Sequence, residues 1–244
     1  MINQKSKFRV IISGKNSSKK NMAIDESLLL CYEKNDLPIL RLYLWESNSV
    51  TIGISQKVEK YDFENIAKRI TGGGVLFHGQ DISYSLVIPV ELLSEFNIKE
   101  SYEKICEFLL NFYKKLGLNV CYAKDNETVK LFKSEYCQVG FEAYDILIDG
   151  QKIGGNAQRR TKKAIFQHGS IPITSVEKSN TFSDKVGISL EDIGKKITFN
   201  EAKDYLIESF ENSFNVELIF SQLTKEEETL VNRLLKEKYE YSTK

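Results

Sequence analysis

Residues 136–173, YCQVGFEAYDILIDGQKIGGNAQRRTKKAIFQHGSIPI, constrain the fold more than any other stretch. From 144 to 149 the chain alternates as a strand, with Ile146 and Ile148 on one face and Leu147 on the other. Asp149-Gly150 then supplies two residues that tolerate positive φ, as a tight hairpin turn requires. Residues 152–158 are predicted to return as the partner strand. A second reversal at 160–163 leads into 164–173, completing a three-stranded meander. This platform puts Lys152 on a fixed strand and Cys137 on the loop entering it. A lysine held beside a thiol favours the thiolate.

Apolar periodicity upstream predicts strands over 8–13, 39–45, 50–56, 75–77 and 81–89. It also predicts helices over 21–32, through Ile24, Leu28, Leu29 and Cys31, and over 98–116, through Tyr102, Ile105, Cys106, Leu109, Tyr113 and Leu116. Residues 118–122 read as a strand and 123–135 as a polar connection. After the meander, 174–184 is a loop, and Ser189 opens a short helix to Ile193 with a Ser-x-x-Asp cap. Helices over 200–210 and 224–238 flank a strand at 214–219, and Thr224 with Glu227 forms a capping box. With three prolines, no repeat and no linker-like stretch, a single domain over 1–244 is expected.

The run KRITGGGVLFH holds Arg69, Thr71, Gly72, Gly73, Gly74 and His78. Three glycines let backbone approach a ligand and present its N–H groups. No Gly-Lys-Ser/Thr follows, so this is not a P-loop, and it lacks the dinucleotide fingerprint. Alone it fits a plain flexible loop. Together with Cys137, Tyr144-Asp145 seven residues on, GQKIGGNAQRR and FQHGS, it resembles the lipoate/octanoate protein transferase and ligase family, which belongs with the biotin/lipoate protein ligases. NMAIDESLLL, LRLYLWES and SVTIGISQ extend the likeness from about Asn21 to the C-terminus, with Trp45 and Gln56 at matching positions. Two residues depart from the pattern. Lys68 replaces an arginine, and Gly79 replaces the aspartate that commonly follows the histidine, so that carboxylate's role is lost or passes to Asp81.

The resemblance implies an α/β (α+β) fold of the biotin/lipoate ligase type: mixed, mostly antiparallel sheets flanked by helices, with an acyl tunnel between them. It is closest to octanoyltransferases that carry a cysteine ahead of the meander; ATP-dependent ligases of the family lack it. It implies Cys137 as nucleophile and Lys152 as its activating cation. Arg69, Thr71, Gly72, Gly73, Gly74, His78, Gly154, Gly155, Asn156, Ala157 and His168 would bind substrate, and the tunnel would end at Cys137. The implied donor is an acyl carrier protein or an already acylated carrier. The acceptor would be a lipoyl domain or the glycine-cleavage carrier protein. No cofactor is expected for transfer; an ATP-dependent lipoate ligase, the alternative, would need ATP and Mg.

Plainer roles compete with these. Free cysteine usually packs, which is the expectation for Cys106 and Cys121. His78 and His168 are expected as satisfied pocket histidines rather than acid/base groups, because thiolate chemistry leaves them no necessary proton. Trp45 is core or pocket wall. A scaffold that has lost its chemistry is disfavoured by the intact Arg69, Gly-Gly-Gly, Lys152 and Cys137. Biotin ligation is disfavoured because Thr-Gly-Gly-Gly stands where a Gly-Arg-Gly-Arg-type loop would be. Lys+Arg and Asp+Glu balance at 34 each, which gives no general field for nucleic acid or anionic membrane. Four cysteines and two histidines show no zinc-like spacing. With no signal-peptide h-region and no apolar run of membrane-spanning length, a cytoplasmic monomer is expected.

Overall fold

The computed structural model describes residues 6–132, 135–136, 140–175 and 187–240. In chain order its elements are β1 (Ser6–Asn16), α1 (Ser18–Cys31), β2 (Ile39–Trp45), β3 (Val50–Ile52), β4 (Ile66–Lys68), β5 (Leu76–Phe77), β6 (Asp81–Pro89), α2 (Ile98–Lys115), β7 (Val120–Tyr122), β8 (Ile146–Ile148), β9 (Gln151–Lys152), β10 (Gly155–Arg160), β11 (Ala164–Pro172), α3 (Phe199–Phe214), β12 (Val216–Phe220) and α4 (Lys225–Leu234). A mixed six-stranded sheet runs β10-β11-β6-β2-β1-β12, beside two three-stranded sheets, β4-β3-β5 and β7-β8-β9. Helices flank the sheets, as the α/β (α+β) expectation requires.

The central strand β6 is buried on both faces, and its alternation assigns each face a partner. Ile82, Tyr84, Leu86 and Ile88 join Leu40 and Leu42 of β2 against Phe108, Phe112, Leu206 and Phe210 of α2 and α3. The opposite face carries Ser83 and Ser85 in register with Tyr43 and Arg41 of β2, and with Ser170 and His168 of β11. There the apolar packing comes from α1, through Met22, Ala23, Ile24 and Leu28, with Tyr43, Trp45 and Phe166. A face made of serines, arginine and histidine is unsuited to plain core packing, and the pocket forms on it.

Helix starts follow the chemistry of their first turns. Asn97 with Glu100, Thr198 with Glu201, and Thr224 with Glu227 each form a reciprocal capping box. Asn215 ends α3 in the left-handed region at φ 51°.

The meander is corrected. The Asp149-Gly150 turn is present, with φ of 49° and 77°, and β8 pairs with β9. The pairing then stops, because the chain leaves the small sheet after Lys152. Gly154, at φ +71°, turns it into β10, which joins β11 in the main sheet. A Cβ at 154 would lie 2.1 Å from the Ser170 carbonyl oxygen, so only glycine permits the crossing. The single partner strand expected over 152–158 is therefore two strands parted by one kinked glycine. Residues 190–194 form a turn where a helix from Ser189 to Ile193 was expected; Ser189 and Asp192 make the predicted cap bonds, but nothing extends them. The strand expected over 50–56 ends at Ile52, where Gly53 meets the glycine loop. Most of the loop predicted at 174–184 lies outside the described residues.

Candidate active site

The pocket sits between the polar sheet face and a cover made of α1, β3, β5 and the glycine loop. Its floor comes from Tyr43, Trp45, Ser83, His168 and the start of β10; Met22, Thr51, Arg69, Gly72, Gly73, Leu76 and His78 close it from above. It encloses about 390 Å³ of space, open mouth included. Its exposed surface is mainly apolar because the polar atoms around it are bonded to one another.

Two hydrogen-bonded chains do this. In the first, Asp81 Oδ2 accepts from Ser170 (2.7 Å), Ser83 (3.1 Å) and the His78 Nδ1 side (2.9 Å), while Oδ1 accepts the Gly79 amide (3.0 Å). His78 Nε2 lies 2.8 Å from the Thr51 hydroxyl, which also accepts from Arg69 at 2.9 Å. Arg69 then donates to the carbonyls of Gly72 (3.1 Å) and Gly74 (2.8 Å). The guanidinium is thus spent on shaping the glycine loop rather than offered as a bare charge. Burial pushes the Asp81 carboxyl up, but His78 and the hydroxyl donors outweigh it and hold it below the usual range. Asp81 is the carboxylate that the structure sets against His78 and the Gly79 amide.

In the second chain, Asp25 of α1 is 1% exposed and accepts from Arg41 (2.7 Å), Ser85 (2.8 Å) and Tyr43 (3.0 Å). It also faces His168 Nδ1 at 3.3 Å, and His168 Nε2 lies 2.7 Å from Thr71 Oγ1. Burial raises the Asp25 carboxyl, yet Arg41 and His168 bring it below its ordinary value. Burial likewise lowers His168, against the pull of Asp25. Both ring nitrogens of each histidine are engaged, which supports the reading of satisfied pocket histidines. Trp45 resolves as core and wall together. It is buried, stacks on His78 with centroids 3.8 Å apart, and donates to Ser83 at 2.9 Å.

Gly72, Gly73, Asn156 and Ala157 line both this inner pocket and a wider cleft of about 1150 Å³, its own opening included. Lys152, Asp145, Tyr102 and Gly74 line the cleft. Lys152 is buried; its ammonium donates to Asp145 Oδ2 at 2.6 Å and to the Gly140 carbonyl at 2.9 Å. Burial raises the Asp145 carboxyl above its ordinary value, with Lys152 pulling the other way. Cys137 lies outside the described residues, but Tyr136 before it and Gly140 after it both line this cleft. Cys106 is buried, its thiol pushed up to about 12 by burial, which fits packing. Among the described residues no cluster of three His, Cys, Asp or Glu side chains could hold a metal, and no helix is long and apolar enough to cross a membrane.

Residues 17–211 match the family model of the lipoyl protein ligase A/B catalytic domain. The chain belongs to this family. It is 31% identical to the octanoyltransferase LipM of Bacillus subtilis, covering 97% of this chain and 96% of that one. It is 35% identical to LipM of Bacillus cereus over the same shares. Among solved structures, a bi-partite lipoate protein ligase from Thermoplasma acidophilum superposes with a TM-score of 0.77 at 22% identity, covering 98% and 95% of the two chains, and shares the fold.

For this lipoyl protein ligase A/B domain, sequence reading assembled much of the site. Arg69, Gly72, Gly73, His78, Gly155, Asn156, Ala157 and His168 converge on the inner pocket, while Gly74 and Lys152 line the cleft. Thr71 reaches the pocket through His168, and Gly154 acts as the strand crossing. The reading gave no role to Asp25, Thr51, Ser83 or Asp145. Asp25 carried a signal: an acid next to Ile24 within an apolar helix stretch must be paired or exposed.

Proposed function

We propose that this protein is a protein octanoyltransferase that moves an octanoyl group from a carrier-protein thioester to a lysine of a lipoyl domain, through an acyl thioester on Cys137. The full-length likeness to octanoyltransferases supports the reaction class. The structural observation that carries it is an apolar pocket that shares the glycine loop and the start of β10 with a cleft lined by Lys152 and by Tyr136 and Gly140, the described residues on either side of Cys137. An acyl chain in the pocket gains about 0.8 kcal/mol per buried CH₂, so selectivity for chain length is graded.

Acyl transfer to a lysine competes with water, and a thiolate splits it into two thioester-level steps. The Cys137 thiolate attacks the donor carbonyl, and the tetrahedral oxyanion collapses by expelling the carrier thiolate, which takes up a proton. The acceptor amine then attacks the Cys137 thioester, loses a proton and releases the thiolate. The Lys152 ammonium favours the thiolate and the oxyanion in both steps. Neither step consumes ATP. The unpaired Cys31, Cys106 and Cys121 suit a reducing cytoplasm.

The test mixes enzyme with an octanoyl-carrier thioester and no ATP. The expected result is one octanoyl mass on the enzyme, labile to hydroxylamine, discharged by a lipoyl domain and absent in Cys137→Ala. Strict ATP dependence with pyrophosphate release, and a Cys137→Ala enzyme that works like wild type, would overturn the proposal in favour of ligation.

A further inference from the structure

The Lys152 ammonium is buried, and a buried cation is costly unless a counter-ion is kept beside it. That counter-ion comes from the opposite arm of the same hairpin. Leu147 pairs with Lys152 across β8 and β9, and Asp145 lies two residues before Leu147, so the strand period brings Asp145 and Lys152 to the same face. Asp145 itself is anchored. Its carbonyl accepts the Ala123 amide at 2.8 Å, and its amide donates to Glu142 O at 3.0 Å. Its Oδ2 accepts the Glu142 amide at 2.7 Å as well as Lys152 at 2.6 Å. One carboxylate oxygen thus joins the turn at 140–145 to the ammonium, which also holds that turn through Gly140 O.

We propose that Asp145 is a positioning residue that fixes the Lys152 ammonium in the cleft beside the inner pocket and confines its field to the atoms next to it. The inference rests on the acyl-transfer reading of Lys152. An ion pair is a dipole, and its field falls off faster than that of a lone cation. Lys152 therefore acts on a group touching Nζ while doing little to the rest of the cleft, where Glu142, Tyr102, Tyr136 and Tyr144 are the other titratable residues among those described.

A purely structural role for Asp145 as the cap of its turn is separable. Asn retains an oxygen that can accept the Glu142 amide, whereas it carries no charge for Lys152. Asp145→Asn should fold with a Tm near wild type and lower kcat on the order of tenfold or more, with KM for the octanoyl-carrier thioester changed by less than about threefold, as expected for loss of alignment. Asp145→Glu, which restores the charge one methylene away, should recover part of kcat. In a Lys152→Met background, followed by slow single-turnover acylation, Asp145→Asn should cost about twofold or less, because it acts through the lysine.

A kcat within twofold of wild type in Asp145→Asn, or the same fold-loss in the Lys152→Met background, would overturn the proposal. Should the wild type take up octanoyl only with ATP, the thioester reading fails. The same cycle, run on the ATP-dependent reaction, then still decides whether Asp145 acts through Lys152.

Discussion

The inner pocket and the outer cleft are built differently. The pocket stands on long paired strands, and Asp25, Asp81, His78 and His168 spend their bonding capacity on one another, on Arg41 and on hydroxyls, one of which, Thr51, also accepts from Arg69. The cleft is set by a two-residue strand, a three-residue strand and a turn, joined through the Lys152–Asp145 pair. Recognition of an apolar chain calls for a rigid, dry, shaped wall, which a satisfied network supplies. The acyl transfer proposed above calls for an open approach, and the wide cleft has its own opening. Substitutions beneath the pocket should therefore move stability first, and substitutions in the cleft should move rate first.

The largest effect is expected in the cleft. Lys152→Gln keeps a long polar side chain but removes the charge, and loss of one transition-state donor costs on the order of 10²–10³ in rate. The check is adduct formation in a single turnover followed by mass spectrometry. A loss under threefold would remove Lys152 from the chemistry.

Next comes the boundary between the regions. A Cβ at Gly53 would lie 2.0 Å from the Gly73 carbonyl oxygen, so Gly53→Val must displace the glycine loop toward the pocket. A shift of this kind costs roughly 10²-fold when it misaligns reacting groups. Octanoyl transfer should fall more than transfer of shorter acyl groups. Equal losses for acetyl and octanoyl donors would mean that the loop does not shape the pocket.

Beneath the pocket, Asp25→Ala leaves Arg41 fully buried without its carboxylate. Breaking such a pair costs about 3–5 kcal/mol. For a chain of this size that lowers Tm by on the order of 10 °C, read by calorimetry. A Tm within about 2 °C of wild type would show that the network relaxes and that the contrast between the regions is overstated.

These contrasts explain what was legible in the sequence. Long strands repeat their pattern often enough to be seen, so β2 and β6 were predicted residue for residue. Asp149-Gly150 announced its hairpin because turn chemistry is local. The crossing at Gly154 was hidden, since only Ile153 and Gly154 separate β9 from β10, and the Ser170 carbonyl that leaves no room for a Cβ at 154 comes near only in the fold. β4 was missed for a related reason: three residues, Ile66, Ala67 and Lys68, do not make a period. His78 and His168 were legible as pocket residues by resemblance. Their carboxylate partners were less so, because Asp25 lies 143 positions before His168 and only folding joins them.

The smallest expected effect is a pH dependence of stability from the pocket floor. Burial lowers the His168 pKa below its ordinary value, so the unfolded chain takes up that proton first as pH falls. Between the unfolded histidine value, about 6.5, and the lowered folded value, the unfolded state binds more protons, and stability must drop with acidification. Asp25 and Asp81 have lowered carboxyl values and act in the same direction, but only below about 4, where unfolded carboxylates titrate. Asp145, raised by burial, works the other way above that value, because there the folded state binds the extra proton. The raised tyrosines titrate far above this range. The difference between wild type and His168→Gln isolates the histidine: Tm measured from pH 7 to pH 5 should fall more steeply in wild type. Parallel curves would mean that His168 accepts a proton in place, with Asp25 as counter-ion, and that the pocket floor is less rigidly neutral than its hydrogen bonds indicate.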